Sequence, residues 1–202
     1  MKNIIKFLIK KIFILLALPC FLLFLLLNLF SKGESTFQSF SQLLSLIPGK
    51  IGIYLRAAFY HLTCPNTSDN ISIGFLTIFS HRDTSIAEGV YIGPQGNIGK
   101  CRIGKNTLLG SGVHILSGKN QHEFSDLSKP IQQQGGIFTK ISIGEDCWLG
   151  NGAIIMADVA DQCIVAAGSV LTKDTATEPT IYAGNPAKIV RNRATEQQDA
   201  AE

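Results

Sequence analysis

The side chain best suited to acid–base chemistry in this sequence is the imidazole of His122. It lies in the polar stretch 117–142, SGKNQHEFSDLSKPIQQQGGIFTKIS, and is the only histidine within that stretch. An unperturbed imidazole has a pKa near ~6.5, so it can accept a proton from an attacking hydroxyl or amine at neutral pH. We therefore predict that His122 is a general base. Glu123, Asp126 or a backbone carbonyl would orient its second nitrogen.

Three further polar residues are predicted to contact a substrate. His114 ends the segment LGSGVH, just before the polar stretch, and Asn120 lies inside the stretch. His81 is surrounded by charge in FSHRDTSI, where it could help to hold a sugar or could belong to a surface ion pair. For His114 the alternative is a structural position at a turn.

The cysteines and the net charge exclude several classes of protein. The five cysteines form no C-x-x-C pair, which fits neither a disulfide framework nor a zinc site, and they are Cys20, Cys64, Cys101, Cys147 and Cys163. Reduced cysteines favour a cytoplasmic domain. The net charge is only +3 and includes several N-terminal lysines. No broad basic face therefore indicates nucleic acid as a partner.

A six-residue repeat dominates the chain from Ile71 onward. Aliphatic residues lie six apart within four runs, which are Ile86, Ile92 and Ile98; Ile103, Leu109 and Ile115; Ile143, Leu149 and Ile155; and Val165 and Leu171. Glycine or alanine follows most of them. A period of six residues is too short for a helix–turn–helix repeat and is typical of a parallel β-helix.

Sterics explain this pattern. Each hexad supplies one short strand, whose aliphatic residue points into a narrow core, and one corner, where a small residue lets the chain turn tightly. Three hexads complete a coil, and stacked coils pair their strands in parallel. We predict that residues 71–191 form this domain, from which 117–142 projects as a loop; residues 192–202 would be a polar tail. No helix-length amphipathic segment within the repeat supports a globular α/β alternative.

Two late segments resemble the hexapeptide-repeat acyltransferases. The stretch AAGSVLTKD, residues 166–174, is similar to the last coil of the galactoside, xenobiotic and serine acetyltransferases, and AGNPAKIVR, residues 183–191, is similar to the segment that follows it. The resemblance covers about 120 residues. It implies an all-β fold, a left-handed parallel β-helix that assembles as a homotrimer. It also implies a projecting loop that carries the catalytic histidine and shapes the acceptor pocket.

The activity that this resemblance implies is transfer of an acetyl group from acetyl-CoA to a hydroxyl or amine. The positions that match the family's coenzyme A contacts are Asn151, Ala167, Thr172, Lys173, Lys188 and Arg191. Basic groups suit the phosphates of the nucleotide, and small residues suit the pantetheine arm. The predicted function is O-acetylation of a sugar. N-acetylation of an amino sugar and a non-catalytic scaffold are the alternatives.

A metal enzyme on the same scaffold is a further alternative. His81, His114 and His122 invite comparison with the γ-class carbonic anhydrases, in which three histidines hold a metal between subunits. In that class the last two histidines are five residues apart, whereas here they are eight apart and the second lies in a long loop. We therefore predict that the site holds no metal.

The N-terminal part of the chain predicts membrane association. Residues 12–30 carry no charge and are long enough to cross a bilayer, so we assign residues 1–36 to a membrane-associated segment. Apolar residues at helical spacing in 37–70 predict two short amphipathic helices. These helices would lie along the headgroup layer or would pack on the domain as a cap.

The topology of this segment presents a conflict. Four lysines precede the apolar run and Lys32 alone closely follows it, which would place the N-terminus inside and the domain outside. Coenzyme A thioesters are cytoplasmic, which requires the domain inside. Because Pro19 can kink or break a helix, we predict that the segment re-enters or lies in one leaflet of the inner membrane. Both ends would then remain cytoplasmic. The acceptor would be a sugar or a lipid-linked glycan.

Overall fold

A computed structural model describes residues 2–31 and 33–195 of the protein, so Lys32 and most of the polar tail 192–202 lie outside the described residues. The chain begins with three helices, α1 (Lys2–Asn28), α2 (Ser35–Ser45) and α3 (Gly49–Thr63). Residues 72–192 then form short strands and turns, with one 3-10 helix at Ile131–Gln133 in the long loop. The description of the fold as all-β therefore holds for the repeat domain but not for the chain as a whole.

The strands follow one another at intervals of a few residues. They are β1 (Ser72–Ile73), β2 (Ile78–Phe79), β3 (Ser85–Ile86), β4 (Tyr91–Ile92), β5 (Asn97–Ile98), β6 (Cys101–Ile103), β7 (Leu108–Leu109), β8 (His114–Ile115), β9 (Ile141–Ile143), β10 (Trp148–Leu149), β11 (Ile154–Ile155), β12 (Ile164–Val165), β13 (Val170–Leu171), β14 (Thr180–Gly184) and β15 (Ala187–Asn192). Their shortness reflects the hexad, which leaves room for one strand and one corner.

The strands stack into three faces. The first face has the order β1-β4-β7-β10-β12-β14-β15, the second has β2, β5, β8, β11 and β13, and the third has β3, β6 and β9. All pairs are parallel except β14–β15, which form an antiparallel hairpin at the end of the domain. Each of the first three coils therefore contributes one strand to each face, whereas the fourth coil meets the third face only through a parallel bridge between Ile143 and Val159.

The core consists of stacked aliphatic columns. In the register of the first face Ile73, Ile92, Leu109, Leu149 and Val165 follow one another, and each is fully buried. Every aliphatic position predicted from the six-residue spacing is likewise at most 2% exposed. The prediction of an inward-pointing residue in each hexad is confirmed.

Gly93 shows why small residues occupy the corners. A Cβ atom at this position would lie 2.7 Å from the Gly110 carbonyl carbon and 2.7 Å from the Ser111 nitrogen of the next coil. Real Cβ atoms do not approach backbone this closely. The coil spacing of the β-helix thus excludes side chains there.

Helices α2 and α3 close the N-terminal end of the β-helix. The Tyr60 ring lies 4.2 Å from the ring of Phe79 in the first coil, measured between centroids. Ser41 Oγ lies 2.7 Å from the Tyr60 hydroxyl and accepts a hydrogen bond from the Phe79 N–H. We predicted that these helices would either lie along the headgroup layer or pack on the domain as a cap, and in the structure they pack on the domain as a cap. The physical reason is that the first coil would otherwise expose its apolar end to water.

The guanidinium of Arg56 links the cap to the β-helix. This side chain is fully buried and donates hydrogen bonds to the carbonyls of Leu44, Ile47 and Ile73. We expect Arg56→Met to lower the free energy of unfolding by about 2 kcal/mol, because buried carbonyls lose their donors. Urea denaturation measures the change. Arg102→Met at an exposed position is the control and should change stability by less than ~0.5 kcal/mol.

Helix α1 continues through Pro19 without ending. A re-entrant segment needs a chain reversal within the apolar run, so the prediction of re-entry is wrong. Neighbouring helices explain why the proline is tolerated. Phe24 of α1 packs against Phe40 of α2 and Phe59 of α3, and the packing on both sides holds the helix together across the missing hydrogen bond.

Candidate functional site: one corner of the β-helix

The loop leaves the β-helix at the corner between the second and third faces. In successive coils this corner consists of residues 80–84, 99–100, 116–140, 156–158 and 172–174. Because the coils stack, these segments lie in one column, with the long loop near its middle. Residues distant in sequence, such as His81 and Lys173, therefore belong to the same edge of the molecule.

Asp83 ties the end of the loop to the first coil. Its carboxylate forms ion pairs with Lys140 at 2.7 Å and with Lys100 at 3.2 Å. The hydrogen bond from Lys140 is the largest cause that holds the pKa of Asp83 below its usual value. The carboxylate stays charged in the neutral range and can hold both lysines in place. The ion pairs around Asp83 thus fix where the loop returns to β9.

A polar cavity of about 330 Å³ lies between the first half of this corner, the second face and the loop. It is lined by Gln38, Ser80, His81, Asn97, Gly99, His114, Ile115, Leu116, Ser117, Gln121 and Phe138. We call it the His81 cavity. The structure therefore brings together two of the residues predicted to contact a substrate, His81 and His114.

The imidazole of His81 is held by hydroxyl groups. Its Nδ1 atom lies 2.9 Å from Ser80 Oγ and 3.5 Å from Ser117 Oγ, and the Phe138 ring lies 5.3 Å away between centroids. Burial is the main cause that lowers the pKa of His81 below its usual 6.5; Lys100 lowers it further, against the opposing effect of Glu34. The ring is therefore neutral at pH 7, and Nε2 is the nitrogen left to contact a ligand.

A second groove, of about 500 Å³, lies on the other side of the loop's first residues. It is lined by Gly118, Lys119, Asn120, Thr139, Ile141, Met156, Ala157, Asp158, Thr172, Lys173 and Asp174. We call it the Lys173 groove. Two of the predicted coenzyme A contacts, Thr172 and Lys173, meet here. Asn120, which we predicted on the acceptor side, lines the same groove.

The first residues of the loop separate the two spaces. Ser117 and Gln121 line the His81 cavity, whereas Gly118, Lys119 and Asn120 line the Lys173 groove. His122 follows directly and its side chain is exposed, outside the lining of both. Residues 117–121 therefore lie between a cavity with two predicted substrate residues and a groove with two predicted donor residues, and the predicted base is the next residue but lines neither space.

The remaining predicted coenzyme A contacts lie elsewhere. Asn151 and Ala167 are exposed at the corner between the first and second faces, where Asn151 Oδ1 accepts a hydrogen bond from Ser111 N–H at 2.9 Å. Lys188 and Arg191 are exposed on β15. The predicted donor residues of one chain thus do not converge on one groove. Their assignment remains a prediction that needs a second copy of the chain.

Sequence reasoning found only His81 and His114 among the residues that line the His81 cavity, and three of those it missed are instructive. Gln38 belongs to the helical cap, Ser117 is the first residue of the loop, and Phe138 lies near the loop's end. Phe138 could have been singled out from the sequence, because it is one of few aromatic residues in an otherwise polar stretch. Gln38 could not, since nothing in the sequence indicates that α2 reaches this corner.

Among residues 2–31 and 33–195, no group of three histidine, cysteine, aspartate or glutamate side chains is arranged to hold a metal ion. His81 and His114 share the His81 cavity, but His122 does not line it. The comparison with the γ-class carbonic anhydrases therefore rests on sequence alone.

Comparison with known proteins supports the class of fold. Residues 140–173 match the family model described as the hexapeptide repeat of succinyl-transferase. Among the curated proteins compared, none matches the chain. The crystal structure of a maltose O-acetyltransferase from Clostridium difficile 630 superposes with a TM-score of 0.69 at 19% identity, over 79% of this chain and 86% of that one.

Two other solved structures superpose with lower TM-scores. The hexapeptide-repeat acetyltransferase from Vibrio cholerae gives a TM-score of 0.46 at 21% identity, covering 80% of this chain and 93% of that one. A polysialic acid O-acetyltransferase gives 0.49 at 26% identity, covering 61% of each chain.

Repeat and topology together define a hexapeptide-repeat β-helix protein. The predicted resemblance to the hexapeptide-repeat acyltransferases is confirmed by the family match and the shared fold. The same fold supports the left-handed winding that the resemblance implies.

Proposed function

We propose that this protein is an O-acetyltransferase that moves an acetyl group from acetyl-CoA to a sugar hydroxyl. The observation that carries the proposal is the position of the loop segment 117–121, which ends directly before His122, between the His81 cavity and the Lys173 groove. A group-transfer enzyme needs its base between donor and acceptor. The structural neighbour named as a maltose O-acetyltransferase supports a sugar as the acceptor.

In this proposal the acceptor sugar lies in the His81 cavity. Its hydroxyls would hydrogen-bond to the amides of Gln38, Asn97 and Gln121, while Phe138 offers an apolar ring face. Because the Ser80 hydroxyl donates to the Ile98 carbonyl at 3.4 Å, it can accept a hydrogen bond from His81 Nδ1–H, and Nε2 of neutral His81 would then accept a hydrogen bond from the sugar. The cavity thus supplies the mixture of one aromatic ring and several amides that suits a carbohydrate.

The base in this proposal is His122. Its imidazole takes the proton from the acceptor hydroxyl as the oxygen attacks the thioester carbonyl carbon. The tetrahedral intermediate then collapses, the carbon–sulfur bond breaks, and the coenzyme A sulfur leaves and takes up a proton. Acetyl-CoA would lie along the Lys173 groove, where Lys173 is exposed and can meet a phosphate.

A homotrimer completes this proposal. Thr172 and Lys173 line the Lys173 groove, whereas Asn151, Ala167, Lys188 and Arg191 of the same chain do not. A neighbouring copy would supply the missing contacts and would cover the exposed His122. Light scattering of purified protein measures the assembly, and a monomer that is fully active would contradict this part of the proposal.

Location at the inner membrane, with the catalytic domain in the cytoplasm, follows from the donor and from α1. Coenzyme A thioesters are made in the cytoplasm, and α1 has one stretch apolar enough for a membrane. A membrane-bound sugar acetyltransferase suits lipid-linked glycans, so we place the reaction in bacterial surface polysaccharide or lipid-linked glycan biosynthesis. N-acetylation of an amino sugar would use the same groups.

The proposed function is tested by a screen of candidate acceptors. Purified full-length protein is mixed with acetyl-CoA and one sugar or lipid-linked sugar at a time, and release of the coenzyme A thiol is followed. Acceptor-dependent release supports the proposal, and mass spectrometry separates O-acetyl from N-acetyl products. Failure to bind coenzyme A by calorimetry would favour a non-catalytic scaffold.

Acceptor binding should depend on pH through His81. Because burial lowers its pKa, the ring stays neutral down to a pH below ~6.5 and then becomes charged, losing the Nε2 lone pair. We expect the KM for the acceptor to be constant between pH 7 and 8 and to rise on the order of 10-fold as pH falls below that pKa. Steady-state kinetics at a series of pH values measure it.

The matched variant for this prediction is His81→Gln, which keeps a hydrogen-bonding group but cannot titrate. Its acceptor KM should be raised at every pH and should no longer change with pH in the acid range. An unchanged acid rise in His81→Gln would show that another group causes it.

A further inference from the structure

Helix α1 carries a long apolar surface that the other residues described by the structure leave uncovered. The most apolar stretch lies within Ile4–Asn28, and only 11% of it is buried. Nine apolar side chains of Ile4–Asn28 are each more than half exposed, and we call six of them the lipid face: Ile5, Leu8, Ile12, Leu15, Leu16 and Leu22. A surface of this kind requires an apolar partner.

The domain binds α1 near its N-terminal end through Lys10, on the side away from the lipid face, and through Lys11, at the flank of that face. Lys11 Nζ forms an ion pair with Asp69 Oδ2 at 2.9 Å, and Lys10 Nζ donates a hydrogen bond to Asn70 Oδ1 at 2.6 Å. These partners immediately precede the first coil of the β-helix. Charged and polar groups of the domain, Asp69 and Asn70, therefore lie beside α1 at the height of Lys10 and Lys11 along the helix axis.

The side of α1 away from the lipid face is bound to the domain again near its C-terminal end. Phe24 is fully buried, and the Arg82 guanidinium lies 5.8 Å from the centre of its ring. Arg82 also donates its backbone N–H to Glu34 Oε2 and its Nε–H to the Thr63 carbonyl, each at 2.9 Å. Charged groups of the domain thus lie at the level of Phe24 as well.

These two attachments decide how α1 can sit in a membrane. From Lys10 to Phe24 the helix rises about 21 Å, at ~1.5 Å per residue. If α1 stood upright, one attachment would lie far inside a hydrocarbon core of about 30 Å, together with either Asp69 or Arg82 and Glu34. Such charges are strongly disfavoured there. An upright helix is compatible with the bilayer only if the domain detaches from it.

We infer that α1 lies parallel to the membrane surface, with the lipid face among the acyl chains of one leaflet and the opposite side on the domain. This inference is independent of the proposed acetyl transfer. It removes the topological conflict, because no segment is translocated and the positive-inside rule does not apply. Half-exposed Lys11, at the flank of the lipid face, would meet anionic headgroups at the same surface.

This orientation also brings the His81 cavity close to the membrane. Gln38 of α2 lines that cavity and donates a hydrogen bond to the Ser80 carbonyl at 3.0 Å, while α2 packs against α1 through Phe40 and Phe24. The helix that rests on the lipid is thus one element away from the cavity.

Cysteine labelling tests the orientation in membranes. Lys6→Cys and Lys50→Cys place exposed thiols on opposite sides of the apolar run, and the unsubstituted protein reports the background from Cys20. We expect a membrane-impermeant maleimide to label both thiols in inverted vesicles and neither in right-side-out vesicles. Labelling of the two thiols from opposite sides would overturn the inference.

Depth measurements distinguish a flat helix from an upright one directly. Leu15→Cys and Leu23→Cys, labelled with bimane, lie about 12 Å apart along α1. Quenching by lipids brominated at known acyl positions should place both probes at the same shallow depth. A difference of about 12 Å in depth would establish an upright helix.

Substitutions in the lipid face test whether membrane lipid covers it. Leu15→Glu together with Leu22→Glu should reduce co-sedimentation with vesicles of phosphatidylglycerol and phosphatidylethanolamine at least 10-fold. Leu43→Glu together with Leu46→Glu, exposed positions outside α1, should reduce it much less. Equal binding of the α1 variant and the unsubstituted protein would mean that lipid does not cover this face.

Discussion

Replacing His122 by alanine should lower the rate of acetyl transfer by about 10²-fold or more. The attack of a sugar hydroxyl on a thioester requires loss of the hydroxyl proton, and alanine cannot accept it. The KM for acetyl-CoA should change little, because the Lys173 groove is intact. Thiol release from acetyl-CoA, measured against both substrates, gives kcat and the two KM values separately.

The control for this variant is Leu127→Ala. Leu127 lies on the same loop, and its side chain is 97% exposed, so its removal tests the effect of altering the loop without altering a base. It should keep nearly full activity. If His122→Ala keeps most of the rate while His81→Ala loses about 10²-fold, the base is the half-buried imidazole of the His81 cavity and our assignment is wrong.

The sequence was most informative where one physical requirement recurs. Every sixth residue must point into a narrow core, so the aliphatic positions from Ile86 to Leu171 could be assigned without coordinates, and each is buried. The loop was also visible, because 117–142 lacks this spacing; the structure has it between β8, which ends at Ile115, and β9, which begins at Ile141.

Contacts between distant elements could not be predicted in this way. Nothing in a uniformly apolar run shows which side of α1 faces α3, nor that Lys11 would pair with Asp69. The proline rule predicted an interruption at Pro19, but packing on neighbouring helices outweighed the lost hydrogen bond. Helix α1 therefore had to be seen in three dimensions before its relation to the membrane could be argued.

The site was predictable in its parts but not in its arrangement. The repeat predicted that His114 ends a hexad, and the loop singled out His122. Asn120 lines the Lys173 groove and Gln121 lines the His81 cavity. This difference depends on the backbone conformation of the loop, which the spacing of residues in the sequence does not determine. For the same reason the contribution of Gln38 from the helical cap was not foreseen.

Leu109→Ala should lower the free energy of unfolding by about 3 kcal/mol or more. Leu109 is fully buried in the column between Ile92 and Leu149, so its truncation leaves a cavity between two coils. Because each coil contacts only its neighbours, little elsewhere can move to fill that cavity. Urea denaturation followed by circular dichroism measures the loss.

The neighbouring residue supplies a control with the same side chain. Leu108 precedes Leu109 in β7 and points outward, with 44% of its surface exposed, so Leu108→Ala should change stability by less than about 0.5 kcal/mol at low protein concentration. Equal losses for the two variants would contradict the alternation of inward and outward residues. A loss for Leu108→Ala that grows with protein concentration would instead show that copies of the chain bury this face in the proposed trimer.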